Sequence, residues 1–200
     1  THDPCVWKDG DSWYVIQGSH VGSPREIGSS RDAAFMFRSP DLINWEYMRP
    51  LYEPGDESDC AVPDFFQLGD KHMLLFASHT RGAQYYIGAY ADQRFTPEIH
   101  GRMNFTTFGP LGKDMHISGD LIAPISWESP DGRRIMIAWI SEGRTREAQE
   151  ASGWAGIMSL PRVLSLTDGG ILQIEPLPEL EVLRRERRSP ASPHSESAAR

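Results

Sequence analysis

Three aspartates stand just ahead of three similar stretches of this chain. Asp3 precedes PCVWKDGDSWYVIQGS, Asp59 lies shortly before PDFFQLGDKHMLLFASH, and Asp120 lies shortly before PISWESPDGRRIMIAWIS. One aspartate at a strand start is an ordinary turn or cap residue. Three at recurring places can meet in one pocket, and that constellation suits glycoside hydrolysis. There, one carboxyl donates a proton while another attacks or stabilises an oxocarbenium-like centre. Other chemistries leave no trace: the chain has no Gly-rich phosphate loop, no HExxH pair and no nucleophile elbow. Its histidines, cysteines and acids do not cluster at metal-ligand spacing, so no metal is expected.

The elements that would position these acids are strands. The stretches begin at Pro4, Pro63 and Pro124, at intervals of 59 and 61 residues. Each is a proline, an apolar strand, a turn rich in Gly and Asp, and a second apolar strand. Further strands are expected at Ala33 to Arg38, Asn44 to Met48 and Gln84 to Ala91, and amphipathic helical periodicity is hard to find before the tail. A strand-rich repeat of this length predicts an all-β fold of the β-propeller type, in which four-stranded blades bury their faces against one another around an axial pocket. The alternative is a β-sandwich whose hairpins resemble each other by chance. Counting Ala155 to Glu175, the chain holds about three to four blades, fewer than a closed ring usually needs. Residues 184–200 lack aromatic and β-branched side chains and are expected to form a disordered polar tail, leaving 1–183 as the propeller-type domain.

At 200 residues the chain can bury a proper core, and its net charge of −8 argues against a nucleic-acid or anionic-membrane partner, either of which would want a basic face. Cys5 and Cys60 read as two buried thiols rather than a disulfide framework. No apolar run reaches the roughly 20 residues of a membrane span, and no leader is visible. Thr1 therefore looks like an internal starting point, and the compartment stays open between cytoplasm and exterior.

Five motifs, in order, resemble glycoside hydrolase family 32, the β-fructosidases that include invertase, levanase and inulinase. His2-Asp3-Pro4 is similar to the family's Arg-Asp-Pro, and the run ending Val62-Pro63-Asp64-Phe65-Phe66 to its Glu-Cys-Pro-Asp-Phe-Phe. Gly119-Asp-Leu-Ile-Ala-Pro124 is similar to its Asp-Phe-Tyr-Ala-Pro segment. Arg133 to Trp139, and Gly153 to Gly156 with Leu160-Pro161-Arg162, match later blades. The resemblance implies a five-bladed propeller, incomplete here, and a retaining carboxylate mechanism on a fructoside such as sucrose or a fructan, with no cofactor. It also implies roles: Asp3 stabilises the transition state, and an acid at the Glu-Cys position protonates the leaving oxygen.

The chain departs from the family in four ways. The first-blade nucleophile motif and the C-terminal sandwich are both absent from this sequence, so the chain is expected to be inactive alone. His2 replaces an arginine, losing the fixed charge and five-donor fork. The acid is ambiguous. A gapless alignment on Pro63 puts Ala61 and Val62 in the Glu and Cys places, whereas pairing the acid with Cys60 puts Asp59 there, displaced by about 6.5 to 7 Å along the strand unless a bulge re-aims it. The candidate catalytic residues are therefore Asp3 and Asp59, with His2, Asp120 and Trp139 as candidate sugar contacts. Asp64 and Trp45 are expected to be structural, and His79 and His116 ordinary. A family 43-like arabinosidase or xylosidase, a non-catalytic carbohydrate-binding propeller and a ligand-free structural remnant remain as alternatives.

Overall fold

The computed structural model describes residues 2–21, 31–52, 60–78, 82–103, 121–140 and 143–185. Among these, thirteen strands form three antiparallel sheets. The first holds β1 (His2–Asp9), β2 (Ser12–Val21), β3 (Arg31–Ser39) and β4 (Glu46–Tyr52), in that spatial order. The second holds β5 (Ala61–Leu68), β6 (Lys71–Ser78), β7 (Gly82–Ala91) and β8 (Arg94–Arg102), again in order. The third contains β9 (Leu121–Glu128), β10 (Arg134–Ile140), β11 (Ile157–Met158), β12 (Arg162–Leu166) and β13 (Leu172–Pro176).

Each repeated stretch is the first hairpin of a sheet. Two of the hairpins close with two residues between Asp9 and Ser12 and between Leu68 and Lys71, where Gly10 and Gly69 take φ of 56° and 63°. That left-handed backbone is why the turns are glycine-bearing. In the third sheet β11 and β12 both pair with β10, so they act as one interrupted strand and the sheet keeps a four-strand plan. The break falls at Ser159 to Pro161. Ser159 donates its backbone N–H to the Ala138 carbonyl (2.7 Å), and its hydroxyl accepts from the Ala138 N–H (3.0 Å). The side chain thus stands in for a ladder carbonyl that the interruption removes. Ala155 to Glu175 therefore completes the third blade, placing the described residues at the lower end of the expected blade count.

The apolar runs follow from how the sheets stack. The second sheet lies between the other two. Along β5 and β6, Phe65, Leu74 and Phe76 join Tyr14, Ile16 and Met36 in one core, while Phe66, Met73 and Leu75 join Met136, Ala138 and Leu164 in another. Side chains alternate faces with period two, so a strand buried on both sides must be apolar at every position. That is why β6 reads Met73-Leu-Leu-Phe-Ala77. The outward faces of the first and third sheets expose Val6, Ile125 and Trp127.

Two elements differ from the sequence expectation. β8 was not anticipated. It pairs only with β7, buries little beyond Phe95, and carries Pro97 opposite Gly88, where an added Cβ would lie 2.0 Å from the Thr96 carbonyl oxygen. A helix, α1 (Arg146–Ser152), also forms before the tail. It buries no residue, so it has no apolar stripe to read; its ends are set instead by the Thr145 cap and by Gly153 at φ 76°. A 3-10 turn spans Pro178–Leu183. The tail expected from 184 onward lies, apart from Arg184 and Arg185, outside the described residues.

Candidate active site

The innermost strands β1, β5 and β9 lie side by side, β1 against β5 and β5 against β9. All three carry the same irregularity. Between regular pairs, Asp3-Pro4 faces the single residue Gln17, Val62-Pro63 faces Phe76, and Ala123-Pro124 faces Ala138. Two residues against one define a β-bulge, which bends the strand and redirects side chains. The residue before proline is left-handed each time, with φ of 56° at Asp3, 48° at Val62 and 49° at Ala123. Sterics push a pre-proline residue toward extended backbone, and a β-branched residue at positive φ is a true outlier. Each such residue costs about 1–3 kcal/mol and survives only where the surroundings enforce it.

The bulges settle which residues correspond. Asp3, Val62 and Ala123 are structural counterparts, and so are His2, Ala61 and Ile122, which form the regular pairs just before them. Asp59 and Asp120, expected at places equivalent to Asp3, are not its counterparts, since both lie four residues ahead of their proline rather than one. The bulge belongs to all three blades, and in the second the regular pair ahead of it is made by Ala61. Asp59 and Asp120 themselves, like His79 and His116, lie outside the described residues. Cys60 is described: its carbonyl oxygen would be 1.8 Å from a Cβ on Gly18, the residue paired with His2. The chain thus enters the second blade pressed against the start of the first, and only glycine fits at position 18.

Of the remaining sequence candidates, Asp3 is exposed at its bulge, and His2 is placed by its backbone pairing. Trp139 is half-buried on β10, opposite Ile122 and beside the third bulge. Gly156 packs so close that a Cβ there would lie 2.2 Å from the Trp139 Nε1. Trp45 belongs to a turn in which Asp41 accepts from the Ile43 and Asn44 N–H groups (2.9 and 2.8 Å) and the Trp45 indole donates to the Leu42 carbonyl. Those donors hold the Asp41 carboxyl well below the usual carboxylate range.

A cluster around Asp64 joins the three blades. Asp64, one residue past its proline, accepts from the Ser126 N–H at 2.7 Å and from the Ser126 hydroxyl at 2.6 Å. Cys5, its counterpart in the first blade, donates weakly to the same carboxylate, and the Cys5 sulfur accepts from the Phe65 N–H at 3.4 Å. Burial raises the Asp64 pKa, opposed by the Ser126 hydrogen bonds and the nearby Arg134. Burial, with the Asp64 charge, pushes the Cys5 thiol up to about 12, so it is no nucleophile at neutral pH. Neither cysteine forms a disulfide. Among the described residues no three His, Cys, Asp or Glu side chains form a metal-binding group.

Three successive four-stranded antiparallel blades, each with a bulged Xaa-Pro on its inner strand, define a stretch of β-propeller. The chain belongs to glycosyl hydrolases family 32, whose N-terminal domain matches residues 1–176. Sucrose-6-phosphate hydrolases from Zymomonas mobilis and Escherichia coli are 30% and 32% identical to it over 203 and 193 residues, covering 92% and 94% of the chain. Among solved structures, fructan 1-exohydrolase IIa from Cichorium intybus aligns with a TM-score of 0.71 at 25% identity, and a β-fructofuranosidase from Bombyx mori with 0.72 at 27%, each covering 92% of the chain. The chain spans only 36% and 38% of the two hydrolases and 36% and 39% of the two structures.

Proposed function

We propose that this chain is part of a β-fructosidase acting on sucrose or a related fructoside by a retaining carboxylate mechanism. The observation carrying the reading is Asp3 on the strained bulge of the first inner strand, directly before proline, in a chain of family 32. A carboxylate carried on a bulge that its surroundings hold in place can accept hydrogen bonds from sugar hydroxyls, which strengthen as positive charge develops on the ring. In the full reaction an acid protonates the leaving oxygen as a nucleophilic carboxylate bonds to the anomeric carbon; water then releases the fructose and returns the proton. Asp3 serves as the stabiliser and Asp59 as the proton donor. His2, Asp120 and Trp139 contact the sugar. The Bombyx mori enzyme, in a variant form, has been solved in complex with sucrose, which agrees with this substrate class.

A second reading has its own observation: Ala61, without a titratable group, forms the regular pair before the second bulge, where the gapless match puts the family's acid. On that reading the blades bind sugar without cleaving it. Calorimetry and a fructose-release assay separate the two. We expect the chain to bind fructose or sucrose, to release little or no fructose alone, and to lose about tenfold or more in affinity in Asp3→Asn, the worth of a charge-assisted hydrogen bond. In protein extended to include a nucleophile-bearing blade, Asp59→Asn abolishes turnover if Asp59 is the donor. Sugar binding with no turnover in that extended protein supports the second reading, full activity of Asp59→Asn removes Asp59 as the donor, and binding indifferent to Asp3→Asn overturns the site.

A further inference from the structure

The inner strands run from the bulges to their turns, so Asp3 and Asp9 lie at opposite ends of β1, roughly 20 Å apart at the rise of a strand. At the turn end a cavity of about 400 Å³ opens between the blades, within the range of small-molecule sites. One side is aromatic. Trp7 and Phe65 have ring centroids 5.3 Å apart, and Phe65 and Tyr90 meet edge-on at 5.1 Å. Two polar atoms in its lining are buried without a hydrogen-bond partner among the described residues, the Tyr90 hydroxyl and the Arg134 Nε. Buried polar groups are seldom left unpaired, because each costs about 1–3 kcal/mol. The Arg134 guanidinium cannot swing away freely, since it stacks 3.8 Å from the Phe66 ring centre.

The charges choose the ligand. Lys8 and Arg134 are cationic, but Asp9 lines the same cavity and Asp64 stands near Arg134, so no net positive field favours an anion. Tyr90, kept protonated by burial, both donates and accepts; Arg134 only donates; Asp9 and the Gln67 amide oxygen accept. Aromatic faces beside alternating donors and acceptors match a sugar, which has an apolar ring face and hydroxyls that do both. We propose that this cavity is a second carbohydrate site, holding one neutral sugar ring at the end of the blades opposite Asp3. It is independent of the catalytic reading.

The chain has six tryptophans, so its indole N–H signals can be resolved by NMR. Titrating the whole chain with fructose, and separately with inorganic phosphate, should shift the Trp7 signal saturably with fructose and not with phosphate. Tyr90→Phe, which keeps the ring packing, should weaken that response about fivefold, the worth of one hydrogen bond, while leaving any Trp139 response unchanged. Trp139 reports the Asp3 end, so failure there and failure here are read separately. A Trp7 signal unmoved by fructose, moved by phosphate instead, or equally responsive in Tyr90→Phe overturns the proposal.

Discussion

Removing the Asp64 carboxylate should unlock the three blades from one another. It accepts two hydrogen bonds from Ser126, at 2.7 and 2.6 Å, and a weak one from Cys5, so one side chain joins β5 to β9 and to β1. Hydrogen bonds to a charged group contribute about 1.5–3 kcal/mol each, and neighbours sharing one carboxylate do not add fully, so Asp64→Ala should cost about 3 kcal/mol. For a chain of this size that lowers Tm by about 6 to 12 °C in a calorimetric melt. The pH dependence has a definite sign. Because burial raises the folded pKa of Asp64, its titration favours the folded state fully below the ordinary carboxylate value of about 3.9, and that contribution is lost as pH rises through the folded value. The destabilisation in the isosteric Asp64→Asn should accordingly be larger at the acid side of that window than above it. A melt of Asp64→Ala within about 2 °C of the parent, or a penalty in Asp64→Asn that grows with pH, contradicts this role for Asp64.

Three further outcomes follow from the geometry. Gly18→Ala drives a Cβ to 1.8 Å from the Cys60 carbonyl oxygen; the strands must shift, and denaturant unfolding should show a loss of at least about 1–3 kcal/mol. Ser159→Ala strips the acceptor from the buried Ala138 N–H and should cost about 1–3 kcal/mol by the same measurement. With its thiol pushed up to about 12, native Cys5 should react with iodoacetamide at pH 8 on the order of ten-thousandfold more slowly than a fully ionised thiolate. Brisk labelling of Cys5 in the folded chain contradicts the enclosed environment.

What was legible in the sequence was local. Glycine and aspartate turns, a leading proline and doubly apolar strands mark each first hairpin, because turn chemistry and two-sided burial are written in consecutive residues. Asp64 was legible as structural from its place inside Pro63-Asp-Phe-Phe66. The outermost strand β8 was not, since an edge strand with Phe95 as its main buried residue lacks a pattern, and α1 was not, since a helix held by its caps needs no apolar stripe. The bulges were least legible. A left-handed Val62 before proline runs against its own local preference, and only the stacking of β1, β5 and β9 enforces it. That tertiary constraint decides which residues correspond to Asp3, and no spacing of acids reveals it. The Asp64–Ser126 contact was hidden for the same reason: its partners are 62 residues apart.

The claim that the bulged ends of the inner strands face one sugar cavity is tested most directly by a crystal structure of the chain soaked with fructose. A fructose hydroxyl should lie within about 3 Å of the Asp3 carboxylate. Clear sugar density elsewhere, with none at Asp3, contradicts it.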